Sequence, residues 1–299
     1  MPVAHESLIF NLERVELIRN KQTTFQRPVS AQGIGLFSGE EISIRLVHAE
    51  SGTGIVFQRV DLPHRPCLPA LSEYVQATPR CTLLGKGSDT VQTVEHLLAA
   101  LRACHIDNAL IEISGGEVPI FDGSSQVFVD LIEQAGRREQ QEFKEVLRLK
   151  KPLFWSEGQV QLIALPSKEY RLSYTLHYPH CEVIGTQFYS LSLTPESFKK
   201  EIAPCRTFSI YEEIAPMIEK GLVKGGSLDR SVLIKAGAIA NPEGLRYPDE
   251  MVRHKILDLI GDLSLIPPFQ AHVIAICSGH TSNNAFAKQF LNYVKVETL

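Results

Sequence analysis

Along residues 249–265, DEMVRHKILDLIGDLSL, apolar residues recur at helical spacing. Val252, Ile256, Leu259, Ile260 and Leu263 fall within one arc of about 100°, the buried stripe of an amphipathic helix. Its other face carries His254, Asp258 and Asp262, four residues apart on successive turns. A second helix is predicted over 93–104, TVEHLLAALRAC, with Val94, Leu97, Leu98 and Leu101 as its stripe and Thr93 as N-cap. Glu95 and His96 then stand in its first turn, directed away from the stripe. Further helices are predicted from Gln126 to Ala135 and near 284–295. Residues 1–20 read as a helical leader, because Leu8, Leu12 and Val15 lie three or four apart.

Elsewhere the pattern alternates. VSAQGIGLFSGEEISIRLV predicts a β-hairpin with strands on either side of LFSG. More strands are predicted at 54–60, near Cys81–Leu84, and at 109–114, 159–165 and 170–177. The apolar run 271–277 predicts a buried strand ending in the turn Ser278–Gly279–His280. The proline-rich stretch 62–70 reads as an irregular loop, and 205–234 as strand–helix–strand. Residues 136–151, GRREQQEFKEVLRLKK, are dense in charge and short of large core residues until Val146, and read as a boundary between two halves. No sequence repeat relates those halves, so pattern alone predicts a mixed α and β protein.

The chain of 299 residues is long enough for one large domain or two of about 150. A net charge of −4 argues against nucleic acid as the main partner. Six cysteines without a CxxC pair fit reduced thiols better than a disulfide framework. The N-terminal stretch has scattered charges and no long apolar core, unlike a signal peptide or membrane anchor, so a cytoplasmic location is expected.

An imidazole and a carboxylate at i, i+4 can converge on one metal ion, and both are common zinc ligands. At a helix start the dipole favours an ionised Glu95 and a neutral His96, the form that binds metal. Taken singly these features are bland, since an HxxxD pair is usually a solvated helix face and a histidine at a strand end is usually capped or half buried. Together with His280 they supply three metal ligands with an open position, plus a carboxylate and an imidazole for proton transfer. HExxH is absent, which counts against the commonest metallopeptidase arrangement.

The segments TVEHLLAAL, PIFDGS, CRTF, KGGS, GLRYPDE, VRHKILDLIGDL and SGH, in this order between about Arg27 and Tyr293, resemble the UDP-3-O-acyl-N-acetylglucosamine deacetylases, which perform the committed step of lipid A synthesis in Gram-negative bacteria. The resemblance implies an α+β fold of two similar two-layer α/β sandwich domains, 21–140 and 146–299 after the leader, with helices packed between two outer sheets (ribosomal protein S5 domain 2-like). It implies one catalytic Zn²⁺ on His96, His254 and Asp258, with Glu95 as general base and His280, held as imidazolium by Asp262, as proton donor. Lys255 and Thr207 would stabilise the oxyanion. An insert at 204–235 would form an acyl passage with Phe208, Ile214, Leu222, Val223 and Leu233, while Tyr178 would stack on uracil. The expected partner is a UDP-sugar lipid, with no transmembrane segment, transient proximity to the membrane, and a monomeric chain. Two departures stand out: Phe37 occupies a position where the family usually has histidine, and Cys277 one where some members carry lysine. Phosphate binding would then fall to Lys150 or Lys255. The competing readings are a zinc hydrolase of another amide or ester and a non-catalytic protein that binds the nucleotide lipid.

Overall fold

The computed structural model describes residues 9–296. In chain order it begins with β1 (Val15–Phe25), β2 (Val29–Ile34), β3 (Glu41–His48), β4 (Ile55–Arg59) and β5 (Cys67–Pro69). Next come β6 (Val75–Ala77), β7 (Leu83–Lys86), β8 (Asp89–Gln92), α1 (Glu95–Ala103), β9 (Ala109–Ile113) and α2 (Gln126–Ala135). The middle of the chain forms β10 (Arg137–Leu149), β11 (Leu153–Glu157), β12 (Val160–Leu165), β13 (Arg171–Tyr178) and β14 (Gly185–Ser192). A short α3 (Pro195–Ser197) leads to β15 (Phe208–Ile210), α4 (Tyr211–Glu219), β16 (Val232–Lys235) and β17 (Ala238–Ile239). The chain closes with α5 (Glu250–Leu263), β18 (Phe269–Gln270), β19 (His272–Ile276) and α6 (His280–Val294).

Two five-stranded sheets dominate, ordered β2-β3-β9-β4-β5 and β11-β12-β19-β13-β14. Numbered along the chain within each sheet, both run 1-2-5-3-4. Both are antiparallel except for one parallel pair, β4 with β9 and β13 with β19. Each has a helix before its fifth strand and another after it. The molecule therefore repeats one ββββαβα plan, although its two copies share no visible sequence repeat. Alternate residues bury one face of each sheet, Ile42, Ile44 and Leu46 in β3 and Leu172, Tyr174 and Leu176 in β13. No helix among the described residues is long and apolar enough to cross a membrane.

The two plans meet where α1 packs on α5. A Cβ on Gly261 would lie 2.2 Å from the Glu95 carbonyl oxygen, so only glycine lets the first turn of α1 approach this closely. That contact sets Glu95 and His96 beside the polar face of α5. The segment β15–β17, with α4, is inserted between β14 and α5 and docks on the β2–β3 turn. Gly225 N donates to Leu36 O over 3.0 Å, and Lys224 N to Phe37 O over 3.2 Å.

Three expectations are corrected. The helical leader is a strand from Val15, and residues 1–8, including Leu8, lie outside the described residues. The charged stretch 136–151, read as a boundary, forms β10, which pairs antiparallel with β1, Val15 opposite Leu149 and Phe25 opposite Arg137. Their ladder gives the charges cross-strand partners, such as Arg148 and Glu16 at 3.0 Å. Thr93 is not a cap, since its backbone is left-handed (φ 59°) and its hydroxyl lies 3.4 Å from Glu117 Oε1. The third correction is in 62–70, expected as an irregular loop throughout: Cys67–Pro69 forms an edge strand, where proline is tolerated. The helix over 126–135, the hairpin around LFSG and the strand–helix–strand at 205–234 form as the pattern predicts.

Candidate active site

The polar face of α5 is buried against α1, not solvated. His254, Asp258 and Asp262 have at most 4 % of their surface exposed. The Nε2 of His254 lies 3.3 Å from Asp258 Oδ1, and the Nε2 of His96 lies 3.7 Å from the same oxygen. The two imidazoles meet edge to face with centroids 5.0 Å apart. One donor atom from each of the three residues lies within 4.8 Å of the others.

Burial holds both rings neutral. His96 is lowered to about 3 by desolvation and then by the neighbouring His254, and His254 is lowered by desolvation as well. His254 donates from Nδ1 to the Cys205 carbonyl over 3.0 Å, so its Nε2 presents a bare lone pair to Asp258. The Nδ1 of His96 is buried without a hydrogen-bond partner. Burial opposes the charge on Asp258, but Lys255 at 2.7 Å, joined by His280, outweighs it and holds the carboxyl well below the ordinary range. Two neutral imidazoles and an ionised carboxylate facing one point without a shared proton fit a divalent cation. His254→Ala is therefore expected to lose affinity for a divalent metal ion, whereas His280→Gln retains it. Metal analysis of dialysed protein checks this, and equal metal content in wild type and His254→Ala would remove His254 from the set.

Two groups stand beside this cluster with opposed proton affinities. Glu95, 3 % exposed, is raised to about 7 by burial, with His280 partly offsetting the effect. His280, the first residue of α6, donates from Nδ1 to Asp262 Oδ2 over 2.9 Å. Burial disfavours its charged form, but Asp262 and Glu95 prevail and raise it to about 9. Its Nε2 is left 3.9 Å from both Glu95 Oε1 and Asp258 Oδ2. The pair thus offers an acceptor and a donor of protons on one side of the cation cluster.

These groups line a cavity of about 200 Å³, which also takes in Lys255, Thr207, Tyr178 and Phe208. A second cavity of about 300 Å³ adjoins it through Phe208, Phe37 and Arg80, and is walled by apolar residues of the insert, including Ile214, Val223 and Leu233. Asp262 lies behind the first cavity, bonded to His280. Two expected residues stand elsewhere. Leu222 is half exposed and lines neither cavity, and Lys150 donates to the Leu12 carbonyl over 2.9 Å at the end of β10. Lys255 is held by Asp258.

Sequence reasoning passed over three residues that stand at or behind these cavities. Arg80, whose left-handed backbone (φ 67°) is unusual outside glycine, lines both cavities. Thr82 bonds to Glu95 and to Asp262. Arg206, fully buried, is clamped by Glu250 one turn before His254. None carries a periodic signal, although Arg206 lies within the CRTF segment.

A buried His₂Asp cluster with a free carboxylate and a carboxylate-held imidazole beside it belongs to the class of metal-dependent hydrolases. Comparison with known proteins narrows the class. Residues 22–292 match the family model described as UDP-3-O-acyl N-acetylglycosamine deacetylase. The chain is 48 % identical over 282 residues, 94 % of this chain and all of the relative, to the UDP-3-O-acyl-N-acetylglucosamine deacetylase of Chlamydia pneumoniae. The Chlamydia muridarum enzyme of the same name is 47 % identical over 94 % of this chain and 98 % of its own length. That of Chlamydia felis is 45 % identical over 92 % of this chain and 98 % of its own. The chain belongs to the UDP-3-O-acyl N-acetylglycosamine deacetylase family.

Proposed function

We propose that this chain hydrolyses the N-acetyl amide of UDP-3-O-acyl-N-acetylglucosamine, giving acetate and the free 2-amino sugar, the committed step of lipid A synthesis. The observation that carries the reading is the junction of two cavities, one holding Glu95, His280 and the cation cluster and the other apolar. The first suits an amide, and the second suits the acyl chain on the neighbouring sugar oxygen. A nucleotide-lipid binding protein would need neither the Glu95–His280 pair nor three buried cation donors.

His96, His254 and Asp258 would hold one Zn²⁺. A bound zinc would polarise the amide carbonyl and make a water acidic enough to attack near neutral pH. Glu95 takes the proton of the attacking water through Oε1, its other oxygen being occupied by the Thr82 amide. Lys255 and Thr207 face the oxygen on which charge develops, a contribution of about 10²–10³ in rate per donor in other enzymes. His280 gives the proton from Nε2 to the leaving amine, while Asp262 on Nδ1 maintains its charge. Phe208, Ile214, Val223 and Leu233 receive the acyl chain, and Tyr178 stacks on the uracil ring. Lys150 and Leu222 have no part in this reading.

We read the two ββββαβα plans as two-layer sandwich domains over 21–140 and 146–299, helices inward, of the ribosomal protein S5 domain 2-like kind. The enzyme would act as a cytoplasmic monomer. Acetate release from UDP-3-O-acyl-N-acetylglucosamine by zinc-loaded protein tests the activity. Turnover abolished by chelation and restored by zinc is expected. Stoichiometric zinc without acetate release would send the site to another amide or ester, and neither zinc nor release would leave a binding protein.

A further inference from the structure

We infer that Thr82 is a positioning residue that ties the site's proton acceptor to its proton donor. Thr82 has none of its surface exposed and lines neither cavity, so it does not touch the substrate. Its backbone N–H donates to Glu95 Oε2 over 3.1 Å, and its hydroxyl donates to Asp262 Oδ1 over 2.5 Å. Asp262 in turn accepts at Oδ2 from His280 Nδ1 and from Asn283 Nδ2, both at 2.9 Å. One residue therefore holds Glu95 by its main chain and, through Asp262, holds His280 by its side chain.

The direction of each bond is fixed by its neighbours. Asn284 Nδ2 donates to the His280 carbonyl over 2.9 Å, which sets the orientation of that amide, and the same nitrogen lies 3.3 Å from the Thr82 hydroxyl. The hydroxyl thus accepts from Asn284 and must direct its own proton to Asp262. On the other side, the Thr82 amide occupies Oε2 of Glu95 and leaves Oε1 as the oxygen facing His280 Nε2. Asp262 is wholly buried, so without the hydroxyl its Oδ1 would lack a donor and the carboxylate would be free to turn away from His280. Glu95 comes from the first ββββαβα plan and Thr82 from the β6–β7 segment that precedes α1, whereas Asp262 and His280 come from the second plan. The linkage therefore also registers one plan against the other at the reacting groups.

This inference rests on the reading that Glu95 and His280 move protons for the amide, and the test separates the two. Zinc-loaded wild type, Thr82→Val and Thr82→Ser are compared for kcat and KM of acetate release. The Nδ1–H resonance of His280 is followed in protein labelled with ¹⁵N-histidine and assigned by its loss in His280→Gln. Thr82→Val is expected to lower kcat by about 10- to 100-fold at unchanged KM, as small misplacements of reacting groups do. The His280 resonance should shift or vanish in Thr82→Val, and Thr82→Ser should restore both rate and resonance. If Thr82→Val does not fold, Thr82→Ala, which adds no methyl against Asp262, carries the same expectation. An unmoved resonance with wild-type kcat, or equal losses in Thr82→Val and Thr82→Ser, would overturn the linkage. A resonance that responds as expected in a protein releasing no acetate would support the linkage and overturn the deacetylase reading instead.

Discussion

Glu95→Ala is expected to fold and bind zinc as the wild type does while kcat for acetate release falls by about 10²–10⁴-fold, the usual worth of a positioned acid or base. Glu95 is adjacent to His96 in sequence but is not among the three residues whose donor atoms converge. Neighbouring helical residues diverge by about 100°, so the turn that aims His96 at the cluster aims Glu95 beside it. Burial raises the carboxyl to about 7, which matches its proton affinity to a reaction near neutral pH. Glu95→Gln keeps the shape and one acceptor for the Thr82 amide but cannot take a proton, so it should be as inactive as the alanine variant. Metal analysis beside initial rates decides the matter. Activity within about tenfold of wild type in Glu95→Gln would remove the base assignment, since a positioned base contributes at least 10²-fold.

The parts legible in the sequence are those whose cause is local. Helix α2 needs only its own stripe, and it forms over Gln126–Ala135 as the pattern predicts. The spacing of His254, Asp258 and Asp262 was likewise readable, but periodicity cannot tell a face turned to water from one turned to another helix. Gly261 decides that, by letting α1 cover the face. Where the cause is distant, the sequence misleads. β10 carries arginine, glutamate and glutamine where a strand usually carries β-branched residues, and its partner β1 lies more than a hundred residues away. The repeated sheet order has no sequence counterpart, because a sheet plan constrains burial pattern and not residue identity. Thr82 is invisible for the same reason: its role exists only once Glu95 and Asp262, from different plans, stand on either side of it. The family motifs pointed to the groups proposed to react but not to the residues that hold them.

Glu250→Ala is expected to destabilise the protein by about 3 kcal/mol, because breaking a buried pair leaves a buried charge short of partners, here with only the half-exposed Glu243 left as counter-charge. Glu250 is wholly buried, and Arg206 is 2 % exposed. Glu250 Oε1 accepts from Arg206 N and Nε, each at 2.9 Å, and Oε2 accepts from Arg206 Nη2 at 3.2 Å and Arg246 N at 2.7 Å. Removing the carboxylate strands two backbone amides and leaves the buried guanidinium only the Gly244 carbonyl and Glu243, a half-exposed carboxylate, as partners. The damage should also reach the site. Arg206 lies between Cys205, whose carbonyl takes the Nδ1–H of His254, and Thr207, and Glu250 precedes His254 by one helical turn. Loss of such an outer partner typically weakens metal binding by about 10–100-fold. A double variant, Arg206→Met with Glu250→Leu, separates the two effects. Removing both charges together should recover much of the stability, whereas zinc affinity should stay low, because an apolar pair restores packing but not the backbone bonds that fix Cys205. Denaturant unfolding of the metal-free proteins and competitive zinc titration measure the two quantities. A loss below about 1 kcal/mol in Glu250→Ala, the worth of an exposed ion pair, would show that this pair does not act as a buried one.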